Sequence, residues 1–184
     1  MTSANTVLVK YIWSDRDPLE ALRAALGGER ELRVFHAVDT GEGCAYAAPI
    51  EEQEACRLRQ TVGAALPRAT VSRLSLLTDL PGASVGTEAP YHYVVETDVL
   101  TECEADFNAW YDREHLPGLA SVPGTVRAMR FRNLDDHPRY CACYDLVRRE
   151  TLGSSPWLAV RGTPWSDRVR PAFFNTRRTM FRRV

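Results

Sequence analysis

An α+β chain made of two tandem βαββαβ halves is what the sequence predicts, on three observations. One order of apolar runs occurs twice, a stretch from Pro81 to Pro90 rich in Pro, Gly, Ser and Ala parts the two occurrences, and within each copy the period switches between two and 3.6 in the same succession.

The first half opens with Val7 to Trp13, an apolar and β-branched run that suits a central strand. Asp17-Pro18 supplies an N-cap and a proline at the first helical position. Leu19, Leu22, Ala25 and Leu26 follow at helical spacing, and Gly27-Gly28 ends that helix. Leu32 to Val38 alternates as a strand, and after a turn through Gly41 and Gly43 the stretch Cys44 to Ala48 is placed to pair back as a hairpin. Pro49 to Leu66 reads as a helix closed by Pro67, and Thr70 to Leu77 as the last strand.

The second half repeats this order. Tyr91 to Leu100 is a strand, and Thr101 with Glu104 forms a capping box that starts a helix whose apolar stripe is Phe107, Trp110 and Tyr111. Pro117-Gly118 stops that helix. Thr125 to Arg132 and Arg139 to Val147 are strands joined by the polar turn Asn133 to Pro138, Ser155-Pro156 opens another helix, and Thr176 to Arg183 is the final strand.

A unit of this order is ferredoxin-like, with a four-stranded antiparallel sheet, helices on one face and a bare face that needs a cover. Residues 1–80 and 91–184 are similar in length and order across the linker 81–90. The economical solution is therefore internal, sheet paired to sheet within one chain, with a homodimer about a symmetry axis as the alternative.

Composition narrows the function classes. A chain of 184 residues, 45% hydrophobic and 26% charged, has enough apolar content for a sizeable core. A formal charge of -1 gives no long-range attraction to phosphate, so nucleic acid is not an expected partner. The C-terminal arginines Arg168, Arg170, Arg177, Arg178, Arg182 and Arg183 read most simply as a solvated strand face. No leader and no apolar run near the roughly 18 residues of a membrane span is present, which points to a cytoplasmic protein without membrane association. Cys44, Cys56, Cys103, Cys141 and Cys143 include no CxxC pair, so no metal is expected, and Cys141 and Cys143 read as small buried thiols sharing one strand face.

The chemistry concentrates in the segment from Phe107 to Gly118. At 100° per residue Glu114 falls between Trp110 and Tyr111, which puts a carboxylate on the buried stripe, where it needs a partner. That partner is either a neighbouring structural group or a substrate. His115 sits at the edge of the stripe, where an imidazole both takes and gives a proton near neutral pH. On the preceding strand His92, Val94, Glu96 and Asp98 share one face. No GxGxxG, Walker loop, GxSxG elbow or HExxH helix occurs, so flavin and nicotinamide have no support and no cofactor is expected. Haem ligation by His115 or His92 is set aside for want of a recognisable haem pocket.

The run from Trp110 to Pro117 (a WYxxEHxP pattern), with Val122-Pro-Gly124 and the Arg130-Phe-Arg132 strand after it, resembles the EthD-like and stress-responsive Dabb-type members of the dimeric α+β barrel superfamily. The resemblance covers residues 91–184 and implies a small-molecule pocket. In it His115 serves as acid/base or orienting donor, Glu114 assists, Trp110 and Tyr111 form the walls, and Glu96 or His92 points inward. It implies a cofactor-independent cyclase, isomerase or monooxygenase acting on an apolar or aromatic oxygenated substrate, or alternatively a noncatalytic ligand-binding protein of a degradative or biosynthetic pathway. The first half has no second Glu-His-x-Pro, so one site per chain is expected.

Overall fold

The computed structural model describes residues 5–13, 20, 23–24 and 31–184. Its strands are β1 (Asn5–Ile12), β2 (Glu31–Ala37), β3 (Glu42–Ile50), β4 (Thr70–Pro81), β5 (Tyr91–Val99), β6 (Thr125–Asn133), β7 (Tyr140–Leu146) and β8 (Phe173–Arg183). They form a closed antiparallel barrel in the order β1-β3-β2-β8-β5-β7-β6-β4. Each half contributes its fourth, first, third and second strand side by side, the ferredoxin-like order, so the two halves pair as an internal dimeric α+β barrel. They are joined edge to edge. β2 meets β8 at Phe35↔Arg183 and Ala37↔Phe181, and β4 meets β6 from Leu74↔Asn133 to Pro81↔Arg127, so closure leaves no free sheet edge.

Alternation along the strands sorts side chains to two faces. Leu8, Phe35, Cys44, Tyr46, Leu74, Val94, Met129, Phe131, Cys141, Cys143 and Phe181 fill the barrel interior. On the outside of the first half, α1 (Glu52–Ala65) lays Ala55, Leu58 and Val62 over Val7, Val9, Tyr11 and Ala45. The other helix expected there, from Asp17-Pro18 to Gly27-Gly28, lies outside the described residues except Glu20, Arg23 and Ala24, which are helical. Among the described residues no helix is long and apolar enough to cross a membrane.

The second half is covered by α2 (Glu104–Trp110), a π-helical turn (Tyr111–His115), α3 (Leu116–Ala120), α4 (Ser155–Arg161) and α5 (Pro164–Val169). Two expectations are corrected here. Thr101 does not form a capping box. It begins a 3₁₀ turn without a side-chain cap, and Glu104 instead accepts a hydrogen bond from the Tyr140 hydroxyl. Nor do Pro117 and Gly118 stop the helical path. Pro117 lies in the first turn of α3, directly after the π-helical turn, and Gly118 runs so close to α4 that a Cβ there would meet Val160 Cγ1 at 2.7 Å. At the start of β6, Gly124 holds φ +97°, a conformation L side chains rarely adopt.

Candidate functional site

The π-helical turn builds the site. A continued α-helix would drive the Pro117 ring against the carbonyl of Arg113, and the wider turn, closed by Leu116 N–H on the Tyr111 carbonyl, delays the helical face just before it. His115 thereby takes the place that straight α-helical phase gives to Glu114. Its ring stacks on Trp110 at 4.0 Å between centroids and meets Tyr111 edge-on at 5.3 Å, and the side chain is only 7% exposed.

Glu114 turns to the flank, half-buried, and accepts a hydrogen bond from the Thr163 hydroxyl, which in turn accepts from Ser166 N–H at 3.1 Å and so caps α5. The expected carboxylate on the buried stripe is corrected to a tie between the π turn and α5. Glu114→Gln is expected to lower stability by about 1 kcal/mol or less in thermal melts, since an amide oxygen still accepts from Thr163.

His115 opens onto a cavity of about 30 Å³ between the helices and the outer face of the second-half sheet, walled by Tyr93, Trp110, Tyr111, Tyr144, Trp157 and Phe173. Four of the lining side chains carry a buried polar atom that meets no hydrogen-bond partner in the protein, namely Trp110 Nε1, His115 Nδ1, Tyr144 Oη and Trp157 Nε1. Buried polar atoms are nearly always paired, so four together make this cavity an unusually polar spot within an aromatic wall. Arg161, Arg170 and Arg178 join the lining, and no carboxylate among the described residues lies within ion-pair distance of Arg161 or Arg178. Burial, followed by the charges of Arg170 and Arg161, pushes the His115 pKa down to about 3, so the imidazole is neutral at physiological pH. Burial likewise pushes Tyr111 up to about 12 and keeps it a neutral phenol.

Behind this wall Arg130, 1% exposed, lies over the rings of Tyr111 at 4.4 Å, Phe107 at 4.8 Å and Tyr140 at 4.9 Å and donates to Asn108 Oδ1 at 2.6 Å. It packs on the Tyr111 ring, the wall residue that also meets His115 edge-on. Sequence reasoning missed this positioning role. The available signal is an arginine in register with Ala128 on the helix-facing side of β6.

The sheet separates the remaining sequence candidates from this pocket. His92 and Glu96 point into the barrel, on the opposite face of β5 from Tyr93 and Val95. His92 is fully buried, with Nδ1 2.6 Å from Asp145 Oδ1 and Nε2 3.2 Å from the Tyr46 hydroxyl, and Glu96 forms an ion pair with Lys10. Their assignment to the His115 pocket is corrected, because successive strand residues alternate faces and these two have the wrong parity. Of the C-terminal arginines read as a solvated face, Arg170 and Arg178 instead line the pocket.

No family model and no curated protein matches this chain. Solved structures do. A proposed monooxygenase from Lactobacillus acidophilus NCFM superposes with a TM-score of 0.67 at 13% identity, covering 98% of this chain and 94% of that one. An anthrone oxidase-like protein gives 0.66 at 13% identity over 99% and 92% of the two chains. LmHde, a heme-degrading enzyme from Listeria monocytogenes, gives 0.62 at 8% identity over 96% and 98%. The chain shares their α+β barrel fold over its whole length, and at these identities the likeness speaks for the fold alone.

Proposed function

We propose that this chain is an EthD-like or Dabb-type small-molecule-binding protein of the cytoplasm, and a cofactor-independent enzyme that uses His115 for proton transfer on an apolar or aromatic oxygenated substrate. The observation that carries the reading is the convergence of four unpartnered buried polar atoms and three arginines on one aromatic-walled cavity. The free volume admits a group about the size of one water molecule, so the oxygenated end of the ligand enters and its body lies along the arginine rim.

The proton step follows from the electrostatics. An isolated imidazole with so depressed a pKa is a poor base, but part of that depression comes from Arg170 and Arg161. A substrate that becomes an enolate or phenolate next to these cations compensates them and raises the proton affinity of His115 as the anion forms. Base strength and anion stabilisation therefore arrive in the same transition state. This suits cyclase, isomerase or monooxygenase chemistry beginning with loss of a proton next to a carbonyl or from a phenol. Structural neighbours described as a proposed monooxygenase and an anthrone oxidase-like protein are compatible with such substrates.

A panel of phenols, quinones and aromatic keto acids, read by ligand-observed NMR and by turnover, tests the reading. Binding that weakens at least about tenfold in Arg178→Met supports it, because the oxygen anion then loses a cation. No binding from the whole panel overturns it. Binding without turnover selects the noncatalytic reading, which the low basicity of His115 in the free protein favours.

A further inference from the structure

A second group of reactive side chains lies inside the barrel and takes no part in the His115 pocket. Cys143 Sγ is 3.5 Å from Cys141 Sγ and 3.6 Å from the Tyr46 hydroxyl. Tyr46 in turn reaches His92 Nε2 at 3.2 Å, and His92 Nδ1 is held by Asp145 at 2.6 Å. The order cysteine, tyrosine hydroxyl, imidazole, carboxylate links a sulfur through one hydroxyl to a base that a third group orients, the relay form of an activated nucleophile. Asp145 and Phe35, whose ring stacks on His92 at 4.3 Å, line a cavity of about 500 Å³ at one mouth of the barrel. His92 and Tyr46 lie between these lining residues and the sulfur pair.

We propose that Cys143 is a hydroperoxide-reactive thiol, with Cys141 as its resolving partner and the barrel mouth as the entrance for the oxidant. The electrostatics agree with the geometry. Burial raises the Cys143 thiol, but hydrogen bonds from Cys141, His92 and Tyr46 and the charge on His92 outweigh it and bring it to about 5. Burial pulls His92 down, and its bonds to Asp145 and Cys143 outweigh that and bring it to about 9. Both shifts favour a thiolate beside an imidazolium.

The Cys143 sulfur attacks the distal oxygen of the peroxide. An S–O bond forms, the O–O bond breaks, and the departing alkoxide takes the proton from His92, which leaves an alcohol and a sulfenic acid. Cys141 sulfur then attacks the sulfenic sulfur, an S–S bond forms, and hydroxide leaves with the Cys141 proton as water. The two sulfurs lose two electrons in all and the peroxide gains them. Residues two apart on a strand have Cα atoms about 6.7 Å apart, the upper limit of what a disulfide spans, so closing the bond bends β7 between the two cysteines.

Hydrogen peroxide applied to the folded full chain, followed by tryptic mass spectrometry, tests this. The peptide Tyr140–Arg148 holds both cysteines, and Cys56, exposed on α1, is the internal reference. The expected result is a Tyr140–Arg148 peptide two hydrogens lighter before Cys56 gains oxygen. In Cys141→Ala a dimedone adduct is expected at Cys143, because the sulfenic acid then persists. In His92→Gln the reaction is expected to slow about tenfold or more, as the thiolate loses its counter-charge. Oxidation of Cys56 ahead of an intact Cys141/Cys143 pair in the wild type overturns the proposal, as does absence of the adduct in a folded Cys141→Ala.

Discussion

His115→Phe is expected to fold at least as stably as the wild type and to lose turnover of the cognate substrate by about 10² to 10⁴ fold, the usual range for one acid/base group. Phenylalanine keeps the stack on Trp110 and fills the same space while removing an imidazole whose Nδ1 has no partner, so nothing buried is left newly unsatisfied. The same variant isolates a pH effect. A histidine held at about 3 when folded and near 6.5 when unfolded binds more protons in the unfolded state between those values, so its contribution to stability falls as pH falls through that window. By pH 4 the wild type is expected to have lost about 3 kcal/mol relative to His115→Phe, compared with pH 7, in denaturant titrations run at both pH values. Equal acid sensitivity of the two proteins would show that the imidazole is not held neutral. Full turnover in His115→Phe would reduce His115 to packing and sink the proposed chemistry.

The element order was legible because strands and helices here carry opposite periodicities. His92, Val94 and Glu96 alternate with Tyr91, Tyr93 and Val95 in β5, while Ala55, Leu58 and Val62 recur at helical spacing in α1. The faces were not legible from the same signal. In a closed barrel covered by helices both sides of a strand are buried, so a period of two separates His92 from Tyr93 without telling which one lies inside. The π turn was hidden for a different reason. Its cause, a proline after the histidine, is readable in Leu116-Pro117, but a proline also reads as a stop, and only packing of α3 on β6 decides that the helical path goes on. The arginine rim was out of reach altogether. Arg161, Arg170 and Arg178 sit in α4, after α5 and in β8, and no local pattern links them until the chain closes.

Asp145→Ala is expected to destabilise the barrel by about 3 to 5 kcal/mol, because it leaves buried charge without its counter-ion. Asp145 lies 2.6 Å from His92 and 3.3 Å from Arg33. Burial pushes its carboxyl up, and the hydrogen bond and charge of His92, with the charges of Arg33 and Arg127, outweigh burial and hold it below the usual carboxylate range. With the carboxylate gone, Arg33 can turn toward the mouth cavity that it lines, but His92, with no exposed surface, cannot follow. It must give up its proton or remain an unpaired cation stacked on Phe35. The imidazole is therefore the greater part of the penalty, and a second substitution should remove it. The double variant His92→Leu with Asp145→Ala is expected to be more stable than Asp145→Ala alone by about 1 to 3 kcal/mol, since an apolar side chain of similar volume in an apolar layer needs no partner. Urea denaturation of the wild type, both single variants and the double variant closes the cycle. Additive losses would mean that Asp145 acts on the fold through contacts other than His92, and the reading of this pair as a buried, mutually dependent charge couple would fall.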